Sequence, residues 1–233
     1  MIELNSWDQE YSRRGIPSSF RDQPSGVVRW ALDNWNYLTD SVNPKTAVDI
    51  GCGTGRNSIY MAARGIDVLA FDISEIALAS AKAKTAATGL THPPRFLKHD
   101  LSNGIPYASG QIDLAIDVFV YKHQLLPSKR AAYRQELRRI LQPKGQLLIS
   151  LAERNDGYYA SCPDLEVAES GNPRTILDTE AGIGSVLFNL DELMCEMDDH
   201  FSLQMTWRKG KLGQMHGKNY MRHTLATVWD IKK

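Results

Sequence analysis

Val48-Asp49-Ile50-Gly51-Cys52-Gly53-Thr54-Gly55-Arg56-Asn57 leads from a short β-branched run, through three glycines at alternate positions, into an amphipathic segment. Glycine lets a backbone turn sharply and lets a ligand come close to the main chain. The helix that follows such a turn presents unsatisfied N–H groups beside that ligand. A tight turn from strand to helix with no ligand has the same local signature. The strands on either side have to decide between the two.

Outward from this turn, strand and helix patterns alternate. Thr46–Ile50, Asp67–Phe71, Arg95–His99, Asp113–Val120 and Gln146–Leu151 read as five short strands. Helices are expected from about Asn57 to Arg64, from a Ser74 cap through Ala87, and from a Ser128 cap to about Leu141. Connections of that length imply right-handed crossovers and a mainly parallel sheet. After a helix from about Leu190 to Asp199, Phe201–Trp207 and Tyr220–Ile231 form an antiparallel pair at one side. The expected class is therefore α/β, a doubly wound, mainly parallel seven-stranded sheet with an antiparallel C-terminal strand pair. Upstream, Val28, Ala31, Leu32, Trp35 and Leu38 mark an amphipathic helix over Ser25–Tyr37. Residues 153–189 are rich in Gly, Pro, Asp and Ser and too long for an ordinary connection, so they are expected to be a functional or disordered loop.

Two carboxylates fall in register with the glycines. Asp72 ends the second strand, where an acid in a doubly wound sheet reaches ribose hydroxyls, and Asp100 holds the matching place after the third. A dinucleotide fingerprint needs glycine or alanine at its third position, and here the two possible readings place Arg56 or Ser58 there. No P-loop Gly-Lys-Ser/Thr follows, and Asp49 would be a poor neighbour for a pyrophosphate. A cationic cofactor carrying ribose and adenine suits these residues better.

In the motif Asp49-x-Gly51-x-Gly53-x-Gly55, the strand end Phe71-Asp72, the pair Asp100-Leu101 and the strand Asp113–Val120, the chain resembles the class I S-adenosylmethionine-dependent methyltransferases over about residues 45–151. The resemblance implies a Rossmann-like methyltransferase fold and S-adenosylmethionine as cofactor, with S-adenosylhomocysteine as product. It implies that the turn residues Asp49, Gly51, Cys52, Gly53, Gly55, Arg56 and Asn57 wrap the methionine part. Asp72 would hold the ribose, Asp100 would face the adenine amino group, and Ile73 and Leu101 would sandwich the ring. Asp117 and Val118 at the end of the fourth strand would complete the cofactor wall. Gly51–Ala63 and the tail Gly213-Gln-Met-His216 with Arg222–Val228 further resemble the tellurite-resistance group of small methyltransferases. There the matching histidine and nearby arginines lie over the acceptor pocket, although this chain has a shorter tail segment and a longer stretch at 152–189.

Acceptor-side candidates are His216, then Tyr121 and His123 (with Lys122 between them) after the fourth strand, and Tyr11, Arg13 and Arg14 in an N-terminal arm that could close over the cofactor. A soft acceptor such as a thiolate or chalcogen oxyanion needs little help from a base, whereas a hydroxyl or amine needs one within hydrogen-bond reach. The remaining histidines show no metal-ligand spacing, so no metal is expected. The 233 residues carry 27 Lys plus Arg against 27 Asp plus Glu, a net charge of zero that argues against a nucleic-acid substrate. No Pro-Pro-aromatic segment follows the fourth strand, which argues against base-amine methylation. Arg130, Arg134, Arg138 and Arg139 read as a solvated helix face.

The expected layout is one methyltransferase domain. It has an N-terminal helical lid or arm (1–44), a cofactor-binding core (45–151), an insertion covering the acceptor pocket (152–189) and a C-terminal helix with antiparallel strands (190–233). Widely spaced cysteines, acids at the start and no membrane-length apolar run point to a cytoplasmic protein acting on a small molecule. A tRNA, rRNA or protein methyltransferase and a non-catalytic cofactor-binding module stay open as alternatives.

Overall fold

The computed structural model describes residues 5–35, 43–169, 171 and 173–232. The expected end of the first amphipathic helix, at Tyr37 and Leu38, lies outside the described residues.

Nine strands are described: β1 (Thr46–Ile50), β2 (Asp67–Asp72), β3 (Arg95–Lys98), β4 (Ile112–Val118), β5 (Leu141–Ala152), β6 (Thr175–Asp178), β7 (Ile183–Val186), β8 (Phe201–Met215) and β9 (Lys218–Ile231). Seven of them form one sheet in the order β3-β2-β1-β4-β5-β9-β8. The first five pair in parallel, and β9 and β8 complete the sheet antiparallel. The order reverses between β1 and β4, so a crevice opens beyond their C-terminal ends, the usual ligand position in open α/β sheets.

The helices are α1 (Asn5–Arg13), α2 (Pro17–Phe20), α3 (Gly26–Asp33), α4 (Arg56–Ala62), α5 (Glu75–Ala86), α6 (Pro127–Ile140) and α7 (Leu190–Met197). Successive β5 residues serve opposite faces of the sheet. Leu147, Ile149 and Leu151 join Tyr133 and Leu137 of α6 and Leu193 of α7, while Leu148 joins Val28 of α3, Met61 of α4 and Leu78 of α5. Being covered on both sides is why the central strands read as continuous apolar runs.

Four expectations are corrected in detail. The third long helix starts at Pro127 after Leu126, not on a Ser128 cap, because proline suits the first helical position. The gap between the last two strands is itself strand: β8 and β9 pair as far as Met215 and Lys218, and His216-Gly217 makes the turn. Residues 153–189 are not a plain loop but hold the hairpin β6–β7. Ile176, Ile183 and Leu187 from this segment pack with Ile16, Tyr158, Tyr159 and Met215 in a third apolar cluster. Arg130 and Arg134 do not lie on a solvated face. They are buried, and they turn inward to the carboxylates of Glu196 and Asp199 at 2.7 and 2.8 Å.

Candidate active site

The glycine turn sits at the mouth of the crevice, and its shape depends on the missing side chains. Gly51 and Gly53 hold φ of 59° and 55°, in the left-handed region. A Cβ on Gly51 would stand 2.4 Å from Val120, and one on Gly53 would stand 2.5 Å from Tyr11 Oη. The Gly53 N–H donates to Asp72 Oδ2 at 2.8 Å, and the Ser74 N–H donates to Oδ1 of the same carboxylate at 2.9 Å. Asp72 is thereby fixed at the end of β2, buried, with burial pushing its pKa up.

A cavity of about 1590 Å³ runs from this turn across the ends of β1 and β4 to the wall made by β8 and β9. Gly51, Arg56, Asp72, Ile73, Asp100, Leu101 and Val118, all expected cofactor residues, line it. Asp100 also accepts from the Ser102 N–H at 2.8 Å, which orients its carboxylate. Tyr11, from α1, reaches down onto the turn. Ser74 Oγ donates to Asp8 Oδ1 at 2.5 Å, and Asn57 Oδ1 accepts from the Ser25 N–H at 2.8 Å. Both bonds tie the N-terminal segment to the core.

The other expected cofactor residues stand behind the cavity surface. Asp49 is buried and takes a hydrogen bond from Ser58 Oγ at 2.5 Å, and burial lifts its pKa to about 7. Asp117 accepts from the N–H groups of Val120 and Tyr121 and from Tyr133 Oη, so it shapes the turn after β4; burial lifts its pKa to about 6. Cys52 is buried beneath the turn, where burial raises its thiol pKa. Gly55, at φ 79°, caps the start of α4.

On the acceptor side the candidates separate. The three-residue helical turn Tyr121–His123 throws consecutive side chains in different directions. Tyr121 points away from the cavity and donates to Glu196 at 2.7 Å. Lys122 and His123 line the cavity. Nδ1 of His123 lies 2.9 Å from the Gly184 carbonyl oxygen, which can only accept. The proton of the neutral ring is therefore on Nδ1, and Nε2 carries the lone pair. Burial, and then the charge of Lys122, pull the His123 pKa down to about 3. The edge of the ring meets Trp7 of α1, with centroids 4.9 Å apart.

His216 is at the hairpin tip and outside the cavity lining. Its Nε2 meets Asp178 Oδ2 at 3.1 Å, and its N–H donates to the Gly15 carbonyl at 3.0 Å. It fastens the insertion and the N-terminal segment to the tip of β8–β9. Arg13 and Arg14 do not line the cavity either.

Sequence reasoning did not single out the charged wall. Lys122 is 1% exposed, has no hydrogen-bond partner for Nζ, and stands 3.5 Å over the Tyr159 ring centroid. Burial, and after it Arg222, bring its pKa down to about 7. Lys209 and Lys211 of β8, Arg222 of β9 and Arg21 after α2 also face this end. Position after the fourth strand places Lys122 among the candidates beside Tyr121 and His123, but not as part of a charged wall. The β8 lysines became a wall only through pairing with β9. Among the described residues, no group of three His, Cys, Asp or Glu side chains could hold a metal. Nor is any helix there long and apolar enough to cross a membrane.

Residues 47–145 match the family model described as a methyltransferase domain. Among curated relatives, the ubiquinone biosynthesis O-methyltransferase of Pseudomonas putida (strain GB-1) is 31% identical over 156 residues, 66% of this chain and 60% of that protein. The enzyme of the same description from Pseudomonas paraeruginosa (strain DSM 24068 / PA7) is 29% identical over 127 residues, 54% of this chain and 52% of its own. The chain thus spans about half the length of the first curated relatives it matches. The solved Burkholderia thailandensis 1,6-didemethyltoxoflavin-N1-methyltransferase, with 1,6-didemethyltoxoflavin and S-adenosylhomocysteine bound, superposes with a TM-score of 0.71 at 18% identity, over 100% of this chain and 88% of that one. The match over residues 47–145 and the superposition together show a stretch similar to methyltransferase domains, carried on a Rossmann-like methyltransferase fold.

Proposed function

We propose that the protein transfers a methyl group from S-adenosylmethionine to a small-molecule acceptor. The observation that carries this reading is the Asp72 carboxylate held at the end of β2 by the Gly53 N–H, with Asp100 at the end of β3 on the same cavity. The donor set fits that cofactor: two strand-end acids, the apolar Ile73 and Leu101, and a turn whose close backbone a Cβ would fill. When bound, S-adenosylmethionine supplies a methyl group on a cationic sulfur.

Every other contribution comes from the chain. Asp72 and Asp100 hold the nucleoside. Tyr11 and Trp7, on one face of α1, roof the cavity and exclude water. His123, neutral with its lone pair on Nε2, orients an acceptor by accepting a hydrogen bond. A ring whose pKa has fallen to about 3 is a weak proton acceptor. That favours an acceptor arriving as a soft or already ionised nucleophile, such as a thiolate or a chalcogen oxyanion, which needs only alignment and a dry site. The tellurite-resistance resemblance at Gly51–Ala63 leans the same way. A cavity with Trp7 and Tyr11 of α1 laid across it suits a small acceptor better than a polymer. In this reading the whole chain works as one methyltransferase unit in the cytoplasm, with 1–44 as the lid.

Calorimetry with S-adenosylmethionine, S-adenosylhomocysteine and NAD tests the cofactor. The first two are expected to bind and NAD is not; binding of NAD alone would overturn the reading. Release of S-adenosylhomocysteine on incubation with thiols, selenite, tellurite and phenols then tests the acceptor class.

A further inference from the structure

The acceptor half of the cavity carries charge of one sign. Lys122 stands at its inner end, and Arg21, Lys209 and Lys211 stand along its wall; none of the four has an ion-pair partner among the described residues. The carboxylates on the cavity surface, Asp72 and Asp100, are both at the cofactor end. Arg222 also reaches this wall, but Asp156 holds it at 2.8 Å. The others crowd one another. After burial, repulsion from Arg21 and then Lys209 lowers the Lys211 pKa.

Lys122 is the more telling group. Its ammonium is buried over the Tyr159 face, with Phe119 at 5.9 Å, and it donates no hydrogen bond. The two carboxylates nearest to it electrostatically are already committed. Asp156 is taken by Arg222 and by the N–H groups of Tyr158, Tyr159 and His223. Asp178 is taken by Tyr158 Oη, His216 and the N–H groups of Glu180 and Ala181. A buried amine with no hydrogen-bond acceptor, on a residue that lines the cavity, is short of an acceptor that a ligand would bring. The lysines on β8 line the same cavity and raise the local concentration of anions.

We propose that the methyl acceptor binds as a small organic anion whose acidic group pairs with Lys122 Nζ, after capture by Arg21, Lys209 and Lys211. This rests on the methyltransferase reading above and assigns the class of molecule that the site takes.

The test uses the whole protein saturated with S-adenosylhomocysteine. It is titrated with matched pairs of aromatic and thiol-bearing carboxylic acids and their amides, 4-hydroxybenzoate with 4-hydroxybenzamide and 3-mercaptopropionate with 3-mercaptopropionamide among them. At least one acid is expected to bind about tenfold or more tighter than its amide. Lys122→Met is expected to erase that preference while keeping affinity for S-adenosylhomocysteine. Lys209→Gln/Lys211→Gln, at exposed positions that spare the fold, is expected to flatten the salt dependence of acid binding. The proposal is overturned if no acid binds, if acids and amides bind alike, or if Lys122→Met keeps the preference. Failure of S-adenosylhomocysteine to bind at all would instead defeat the methyltransferase reading, and so the two failures are distinguishable.

Discussion

At the scale of single residues, the site is a set of buried charges whose protonation opposes or supports the fold. Lys122 has a pKa near 7 in the folded chain against 10.5 in an ordinary lysine. The unfolded chain therefore binds the extra proton between those values, and stability should rise with pH across that window by at most about 1.4 kcal/mol per pH unit. Thermal melts of the cofactor-free protein and of Lys122→Met should show this slope in the first and not in the second, with the variant melting higher at neutral pH. Asp49 works in the opposite sense. Its pKa is raised from 3.8 to about 7, so its stabilising protonation is lost as pH climbs through that range. Asp49→Asn, which leaves Ser58 an oxygen to donate to, should raise the melting temperature at pH 7; an unchanged or lower value would show that Asp49 is better tolerated as an anion than its burial implies. Asp72→Ala removes a pre-positioned carboxylate and should weaken S-adenosylhomocysteine binding by about 1–3 kcal/mol in calorimetry.

At the scale of elements, turns decide which side chains meet. Gly51→Ala puts a Cβ 2.4 Å from Val120 at a left-handed φ, and a cost of about 1–3 kcal/mol is expected in denaturant unfolding. His216→Ala leaves Asp178 short of a donor at the tip of β8–β9, for a similar loss of about 1–3 kcal/mol by the same measurement. These elements also show what was legible in the sequence. The glycine turn and Asp72 could be read because each sits at the end of a strand with its own apolar run, and Asp100 because it follows the short Phe96-Leu97 pair in the matching place. Tyr121, Lys122 and His123 could be placed at the crevice but not sorted, since a helical turn of three residues sends neighbours in different directions and only tertiary packing says which faces the ligand. Lys209 and Lys211 were hidden for another reason. Their strand carries too few apolar residues over 208–214 to be recognised alone, and it is held by its pairing with β9.

At the scale of the molecule, three apolar clusters divide the work. Two clamp the sheet between helices, and the third joins the N-terminal segment, the insertion and the hairpin tip. The long stretch at 153–189 thus gains its order from distant partners. Phe188 and Leu187 pack into different clusters, and β6–β7 is covered by Ile16 and Met215. A seven-stranded plan follows from strand spacing, but this second layer depends on contacts between parts of the chain far apart in sequence, which local patterns do not encode.

Helix α1 stands over both ends of the cavity at once: Tyr11 rests on the glycine turn, and Trp7, four residues earlier on the same face, rests against His123. The two compartments therefore share one door. If ligands leave only when that helix swings aside, the pace of turnover in the proposed reaction belongs to its motion against the surrounding liquid. An enzyme timed in that way feels solvent friction: its turnover number should fall as glycerol or sucrose thickens the medium, while a chain cut back to remove α1 should lose that sensitivity together with its grip on both ligands.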